Sequence, residues 1–193
     1  CNMELKHHFI TTNRPFKEGT VEVFQQKIVA SHIKNALLSI TALGVYEAEI
    51  NGKKVGDALF TPGFTYYPSH LYYQTYDITD MLTGEDILTV YLAQGWYCGR
   101  FTFQNTVQIY GECPAVSWVL TVEDELGTHR FCSDDFTVES VASPYIYAGF
   151  YDGEVYDESG NQDVIQPVRF TGKIPESIEK GHMSVRIREE MPV

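Results

Sequence analysis

The residues best suited to ligand binding form a run of aromatic, glycine and cationic side chains at residues 95–100 (GWYCGR). The rings of Trp96 and Tyr97 could stack on the apolar face of a sugar, and Arg100 offers a fork of donors to hydroxyl groups. The alternative, which the residue pattern favours, is that Trp96 fills the interior and that the flanking glycines serve backbone turns. Trp96, Tyr97 and Arg100 are therefore candidate carbohydrate contacts that compete with a place in the core.

A second cluster, residues 151–157 (YDGEVYD), combines carboxylates with tyrosines around a glycine. Gly153 permits a tight turn, and Asp152 and Glu154 could accept hydrogen bonds from hydroxyl groups, cap backbone donors or hold Ca²⁺. Again the residue pattern favours a structural role, in which the tyrosines pack and the acids satisfy backbone N–H groups. Asp152 and Glu154 join the candidate carbohydrate contacts, and no metal ligand is assigned because no EF-hand spacing is present.

No motif for catalysis accompanies these clusters. The sequence has no GxSxG elbow, HExxH pair, P-loop or GxGxxG run after a strand. Glycoside hydrolysis needs two carboxyl groups about 5–9.5 Å apart across a cleft, a distance that sequence does not show. Acidic residues such as Asp134, Asp135 and Asp157 are more often solvated surface, so no catalytic residue and no cofactor are predicted.

The charge of the chain limits its partners. Its 193 residues carry 26 acidic and 14 basic side chains, for a net charge of −12, which repels phosphate backbones and excludes a nucleic-acid partner. A neutral sugar is compatible with such a surface. No apolar run approaches the ~18 residues of a membrane span, and no charged-then-apolar leader opens the sequence.

The four cysteines show no metal-binding or disulfide framework. Cys1, Cys98, Cys113 and Cys132 have no CxxC spacing and no paired-histidine motif, so neither a zinc site nor dense disulfides are predicted. Reduced thiols are expected, some of them buried as small hydrophobes. Cys98 and Cys113 are the one pair considered as a bridge.

Strict alternation of apolar and polar residues indicates the elements that must carry these clusters. Period-two patterns predict strands with one buried face, and their apolar positions are Ala36, Leu38, Ile40 and Ala42; Tyr46, Ala48 and Ile50; Leu88, Val90 and Leu92; and Val116, Trp118, Leu120 and Val122. Asn51-Gly52 is the strongest hairpin signal, because a type I′ turn needs positive φ at both central residues. The fold class is thus all-β, a β-sandwich of jelly-roll type with short helical turns.

Weaker patterns complete the expected architecture. Further strands are predicted at residues 71–76, 128–132 and 136–141, and residues 123–127 (EDELG) are predicted as a slightly longer hairpin loop before the second of them. A short helix is predicted at 79–82, capped by Asp77 or Thr79. The pattern thins from about Gly160, where X-Pro pairs punctuate the chain. We expect residues 1–159 to form an N-terminal β-sandwich domain, and 160–193 to be a connector or the truncated start of the next domain.

The order of these blocks resembles the N-terminal domain of bacterial α-L-rhamnosidases. The blocks that carry the resemblance are residues 44–57 (GVYEAEINGKKVGD), 62–65 (PGFT), 73–80 (YQTYDITD), 95–100 and 151–157. The resemblance implies a parent enzyme that releases terminal α-L-rhamnose by inversion, with its catalytic carboxylates in an (α/α)₆ barrel outside these residues. No residue here matches the catalytic acid or base of that family, so none is carried over.

The chain departs from the family pattern at three places. Tyr66 stands where the family usually has an acid, Phe136 where it often has Trp, and Glu158-Ser159 where it has Ala-Arg. Some relatives carry a jelly-roll module that binds rhamnose through calcium. Because Tyr66 replaces the acid, no calcium site is assigned.

Two kinds of function follow from the resemblance. The first is a non-catalytic domain that packs on the other domains of a rhamnosidase and assists recognition of rhamnose-containing glycans. The alternative is a stand-alone carbohydrate-binding, lectin-like module. The expected compartment is bacterial, cytoplasmic or periplasmic, and the sequence does not choose between the two.

Overall fold

A computed structural model describes residues 2–14, 19–58, 61–63, 69–95, 113–141, 145–149, 153–156 and 164–181. Within these ranges the chain is almost entirely β-structure, with one helical turn, α1 (Asn2–Leu5), and one 3₁₀ helix, Thr79–Met81. The strands are β1 Ile10–Thr11, β2 Glu22–Val29, β3 Asn35–Leu43, β4 Val45–Ile50, β5 Lys53–Lys54, β6 His70–Asp77, β7 Glu85–Ala93, β8 Ala115–Asp124, β9 Gly127–Cys132, β10 Glu139–Val141, β11 Tyr145–Gly149, β12 Gly153–Tyr156, β13 Val168–Arg169 and β14 Ser177–Lys180.

The strands form two large sheets and one hairpin. The larger sheet has the order β13-β1-β8-β3-β6-β14, with β9 also paired to β8. The smaller sheet has the order β10-β2-β7-β4-β5, and β11 pairs with β12 in a hairpin. Every pairing in the described ranges is antiparallel except that of β14 with β6. The predicted all-β sandwich is confirmed.

The core between the two sheets is built by the alternating residues that the sequence singles out. Ala36, Leu38, Ile40 and Ala42 of β3 are all fully buried. The neighbouring strand β8 adds Trp118, which pairs with Ile40. The apolar positions of β4 and β7 belong to the same cluster. Removing such side chains from water is the main stabilising contribution to the fold, at roughly 25 cal/mol per Å² of apolar surface.

A second apolar cluster covers the opposite face of the larger sheet. Some members are strand residues whose side chains point away from the inter-sheet core, and the others lie on the segment that covers this face. They are Leu5, Phe9, Leu43, Leu71, Ala115, Val119 and Ile178. Because successive strand side chains point to opposite faces, Val119 packs away from Trp118. The larger sheet, of which β14 is an edge strand, is therefore buried on both faces where α1 and Phe9 cover it.

The connections follow the predicted turn chemistry with two differences. Asn51 and Gly52 have φ angles of +52° and +80° and join β4 to β5, which confirms the hairpin. The turn between β8 and β9 is tighter than predicted, since Asp124 pairs directly with Gly127. In the predicted 79–82 helix, which forms as Thr79–Met81, the Asp77 carboxylate accepts the N–H of Thr79 at 3.0 Å.

The strand predicted at residues 136–141 begins three residues later than expected. Phe136 is 90% exposed and lies in a turn, and the strand comprises Glu139–Val141. The turn forms because the Asp135 carboxylate accepts the N–H of Cys132 at 2.8 Å, while the N–H of Val138 donates to the Asp135 carbonyl at 3.0 Å. These local bonds compete with continued strand pairing.

The described residues beyond position 160 pair with the edges of the larger sheet. β13 pairs with β1, and β14 pairs in parallel with β6. Ile178 of β14 is buried. The boundary between residues 159 and 160 stays a prediction. Cys113 and Cys132 are free thiols, whereas Cys98 lies outside the described residues. None of the described helices has the length and apolar character needed to cross a membrane.

Candidate functional site

The five sequence-predicted carbohydrate contacts fall mostly outside the part of the chain that the structure describes. This holds for Trp96, Tyr97, Arg100 and Asp152. Glu154 lies on β12, where its backbone pairs with Ala148 of β11. Whether these five side chains share one cleft therefore stays a prediction.

The point at which the chain enters the 95–100 cluster is closely packed. Gly95 follows β7 with a φ angle of +53°, and a Cβ on it would lie 2.5 Å from Cγ2 of Val45. Gly44, with φ +134°, would place a Cβ 2.4 Å from the carbonyl oxygen of Ala93. The buried Gln94 side chain accepts the N–H of Gly19 at 2.8 Å. The first glycine of the cluster is thus required by packing against β4.

A hydrogen-bond network holds residues 61–63 against β4 and β6. The Tyr46 hydroxyl donates to Oε1 of Gln74 at 2.6 Å and lies 3.0 Å from the Tyr76 hydroxyl. Nε2 of Gln74 then donates to the carbonyl of Pro62 at 3.2 Å. Thr61 pairs with Tyr46 through two 2.8 Å bonds, one backbone and one from its hydroxyl. The network fixes residues 61–63 relative to the sheet.

The two phenols of this network are protonated and can donate hydrogen bonds. Burial, followed by the neighbouring Tyr76, raises the pKa of Tyr46 well above its ordinary value of 10.0. Burial also raises the pKa of Tyr76, and the hydrogen bond between the Tyr76 and Tyr46 hydroxyls offsets this only in part. Both hydroxyls therefore stay protonated at neutral pH and are suited to a structural role.

Two of the three buried carboxylates in the described ranges hold turns. Asp86, 1% exposed, accepts Nδ2 of Asn51 at 2.7 Å and the N–H groups of Thr83 and Gly84 at 3.0 Å. Burial would raise the pKa of Asp86, but these hydrogen bonds outweigh burial and lower it. Carboxylates engaged in this way are poor candidates for general acids or bases.

Asp124 holds a neighbouring turn in the same manner. Its carboxylate accepts the N–H groups of Ser31 at 3.0 Å and Leu126 at 2.8 Å, and lies 2.9 Å from Nε2 of His129. The backbone bond from Ser31 is the main reason that its pKa falls from 3.8 to about 2. The third buried acid, Glu22, pairs with Arg14 at 2.5 Å. Each of these acids is satisfied by its neighbours.

An open cleft that the sequence did not indicate lies beside the turn before β10. It has a volume of about 240 Å³, and its lining includes Asp134, Phe136, Gln166 and Arg169. A 90% exposed phenyl ring next to a guanidinium, a carboxylate and an amide could hold a small polar ring. The alternation pattern had assigned Phe136 to a strand, and Gln166 and Arg169 approach from distant sequence.

Comparison with known proteins gives a consistent answer over most of the chain. Residues 31–174 match the family model described as the α-L-rhamnosidase N-terminal domain. An α-L-rhamnosidase of Streptomyces avermitilis is 38% identical over 126 residues, which are 65% of this chain and 12% of that protein. An α-L-rhamnosidase of Formosa agariphila is 34% identical over 131 residues, 67% of this chain and 14% of that protein.

The fold agrees with a solved structure from the same group of enzymes. The crystal structure of Streptomyces avermitilis α-L-rhamnosidase complexed with L-rhamnose superposes with a TM-score of 0.74 at 30% sequence identity. The match covers 83% of this chain and 17% of that one. The matched part of the chain thus covers only 12% to 17% of the length of these rhamnosidases.

Proposed function

Since the chain belongs to the family of α-L-rhamnosidase N-terminal domains, we propose that it is a non-catalytic β-sandwich of a larger α-L-rhamnosidase. The observation that carries this proposal is the match of residues 31–174 to that domain, in a chain that spans only 12% and 14% of two rhamnosidases. Its role is architectural: it packs on the neighbouring domains and assists substrate recognition.

The chemistry of the described residues supports a non-catalytic role. Asp86, Asp124 and Glu22, the buried acids of these ranges, are each engaged by backbone N–H groups or by a neighbouring side chain. A glycosidase needs one carboxyl group held protonated and another facing it across a cleft. Incubation of the isolated chain with an α-L-rhamnoside tests this role, and we expect no hydrolysis product.

The second part of the proposal concerns the parent enzyme. We propose that it releases terminal α-L-rhamnose with inversion, using two carboxylates outside this chain. Inversion requires room for a water molecule between carboxyl groups about 6.5–9.5 Å apart. Proton NMR of the first product of an α-L-rhamnoside in the full-length enzyme should show the β-anomer. Initial formation of the α-anomer would contradict inversion.

Sugar recognition by the chain itself is the alternative function, with Trp96, Tyr97, Arg100, Asp152 and Glu154 as the proposed contacts. Trp118 makes a clean experiment possible, because it is one of only two tryptophans and is fully buried. Its Nε1 donates to Oε1 of Gln26 at 2.9 Å, so a sugar cannot contact it. A saturable change in tryptophan emission on titration with L-rhamnose therefore reports on Trp96.

The titration distinguishes the two functions when it is run with and without calcium. Ring stacking and a few polar contacts typically support millimolar to micromolar affinity, so the change should saturate in that range and disappear in Trp96→Ala. D-glucose is the control sugar and should give no saturable change. A flat response to L-rhamnose up to tens of millimolar, beyond that affinity range, would reject binding at Trp96 and leave the architectural role.

A further inference from the structure

Three potential metal ligands of different chemistry meet at the end of β9, beside the open cleft that Asp134 also lines. A ring nitrogen of His8, Sγ of Cys132 and a carboxylate oxygen of Asp134 all lie within 4.8 Å of one another. The His8 and Asp134 atoms are 2.6 Å apart. These three residues are called the β9 triad below.

The backbone that carries the β9 triad is held in place by Ser133. The Ser133 hydroxyl donates to the carbonyl of His8 and accepts the N–H of Trp118 at 3.1 Å. The N–H of Ser133 donates to the Trp118 carbonyl at 3.1 Å. His8 is thereby tied to the turn that carries Cys132 and Asp134, and the turn is tied to a central strand of the larger sheet.

Further bonds fix Cys132 and distinguish the two aspartates. Oδ2 of Asp135 accepts the N–H of Cys132 at 2.8 Å and Nε2 of Gln26 at 3.1 Å. Gln26 also donates to the Cys132 carbonyl at 3.2 Å. Asp135 is thus committed to the backbone of the turn, while Asp134 faces His8 and has Arg169 at 3.9 Å. Such outer contacts orient the ligands of metal sites.

The ligand set selects the class of ion. One thiolate, one imidazole and one carboxylate suit zinc and related borderline divalent metals, whereas calcium and magnesium prefer oxygen alone. The side chains of His8 and Asp134 are 22% and 27% exposed, so an ion can reach them from solvent. We infer that the β9 triad is a three-ligand site for a zinc-like divalent metal, with water at the fourth position.

The metal replaces a proton on sulfur. A thiol binds a metal ion as the thiolate, so Cys132 must lose its proton when the ion binds. On binding, the S–H bond is lost, the metal–sulfur bond forms and the proton passes to solvent. The ion also joins the segment before β1 to the turn after β9, whose residues are 126 positions apart.

Cobalt titration of the chelator-treated 193-residue chain tests the inference, because Co²⁺ reports a thiolate ligand by its near-ultraviolet charge-transfer absorption. One equivalent should bind, and Zn²⁺ should displace it. Cys132→Ser should abolish the charge-transfer absorption, and His8→Ala and Asp134→Asn should each weaken binding about tenfold or more. Cys113→Ser, which removes another half-buried free thiol, is the matched control and should change nothing.

Circular dichroism of each metal-free variant shows whether it is folded, and Asp134→Asn serves if Cys132→Ser does not fold. The inference is overturned if excess Co²⁺ produces no thiolate absorption in the folded wild-type chain. It is equally overturned if that absorption persists unchanged in Cys132→Ser, or if Asp134→Asn binds Co²⁺ as tightly as the wild-type chain.

Discussion

The indole N–H of Trp118 donates a 2.9 Å hydrogen bond to Oε1 of Gln26, and this bond joins the two sheets through the core. Trp118 lies on β8 of the larger sheet, and Gln26, 1% exposed, lies on β2 of the smaller one. The same glutamine donates through Nε2 to the Cys132 carbonyl. A polar side chain within the core thus links both sheets to the turn after β9.

Replacing Gln26 with leucine should destabilise the fold by about 2–4 kcal/mol, because the buried Trp118 N–H and the Cys132 carbonyl both lose a partner. Urea unfolding followed by circular dichroism measures the loss. Gln25→Leu is the control, since Gln25 is only half-buried and its contact with Thr89 is long, at 3.4 Å. Equal losses in the two variants would show that the inter-sheet bond contributes little.

Gly44→Ala should destabilise the chain by about 2–3 kcal/mol through backbone strain and a clash. Gly44 has φ +134°, and a Cβ would lie 2.4 Å from the Ala93 carbonyl oxygen. Gly52→Ala is the matched control, because φ is +80° but nothing lies within 4 Å of the added carbon. Its cost should be about 1 kcal/mol. Thermal or urea unfolding of both variants should rank them in this order.

The Asp124 carboxylate should make stability depend on pH in the acid range. Its pKa falls from 3.8 to about 2 in the folded chain. Since the folded pKa is depressed, its contribution is complete above the unfolded value and is lost as the pH falls through the folded value. Asp124→Asn should therefore be less stable than wild type at neutral pH, and the difference should shrink between about pH 4 and about pH 2.

The control for this effect is Glu123→Gln, which removes an exposed carboxylate next in sequence. It should leave the free energy of unfolding at neutral pH nearly unchanged. A difference between wild type and Asp124→Asn that stays constant across the acid range would contradict the role given to the ionised carboxylate.

Ile178→Ala should cost about 2–4 kcal/mol if the segment after position 160 is an integral part of the sandwich. Ile178 is 3% exposed and packs with Leu71 on the outer face of the larger sheet. Val168→Ala, on β13 at 37% exposure, should cost below about 1 kcal/mol. Similar and small losses for both would show that residues 164–181 are a connector with little share in stability.

The alternation of residues predicted the inter-sheet core because that pattern is local to each strand. The positions Ala36 to Ala42, and Trp118 with its neighbours, could be assigned to one face without knowing their partners. β2 was missed, because Gln25, Gln26 and Lys27 interrupt its apolar pattern. The structure shows that Gln26 is buried there as a hydrogen-bonding partner of Trp118.

The second core and the β9 triad could not be predicted, because both depend on contacts between distant segments. Val119 and Leu43 lie on the face of their strands that the alternation pattern leaves to solvent, and they are buried because α1 and Phe9 pack on that face. His8 approaches Asp134 across 126 positions of sequence. The candidate sugar contacts at residues 95–100 and 151–157 remain a prediction from residue type and family resemblance.

We propose that this sandwich has no hydrolytic activity of its own. Incubation of the isolated chain with 4-nitrophenyl α-L-rhamnoside tests this. A full-length α-L-rhamnosidase serves as the positive control under the same conditions. We expect release of nitrophenolate no faster than in buffer, even with the chain in large excess over that control. Turnover that survives purification and is abolished by Asp152→Asn or Glu154→Gln would contradict the account.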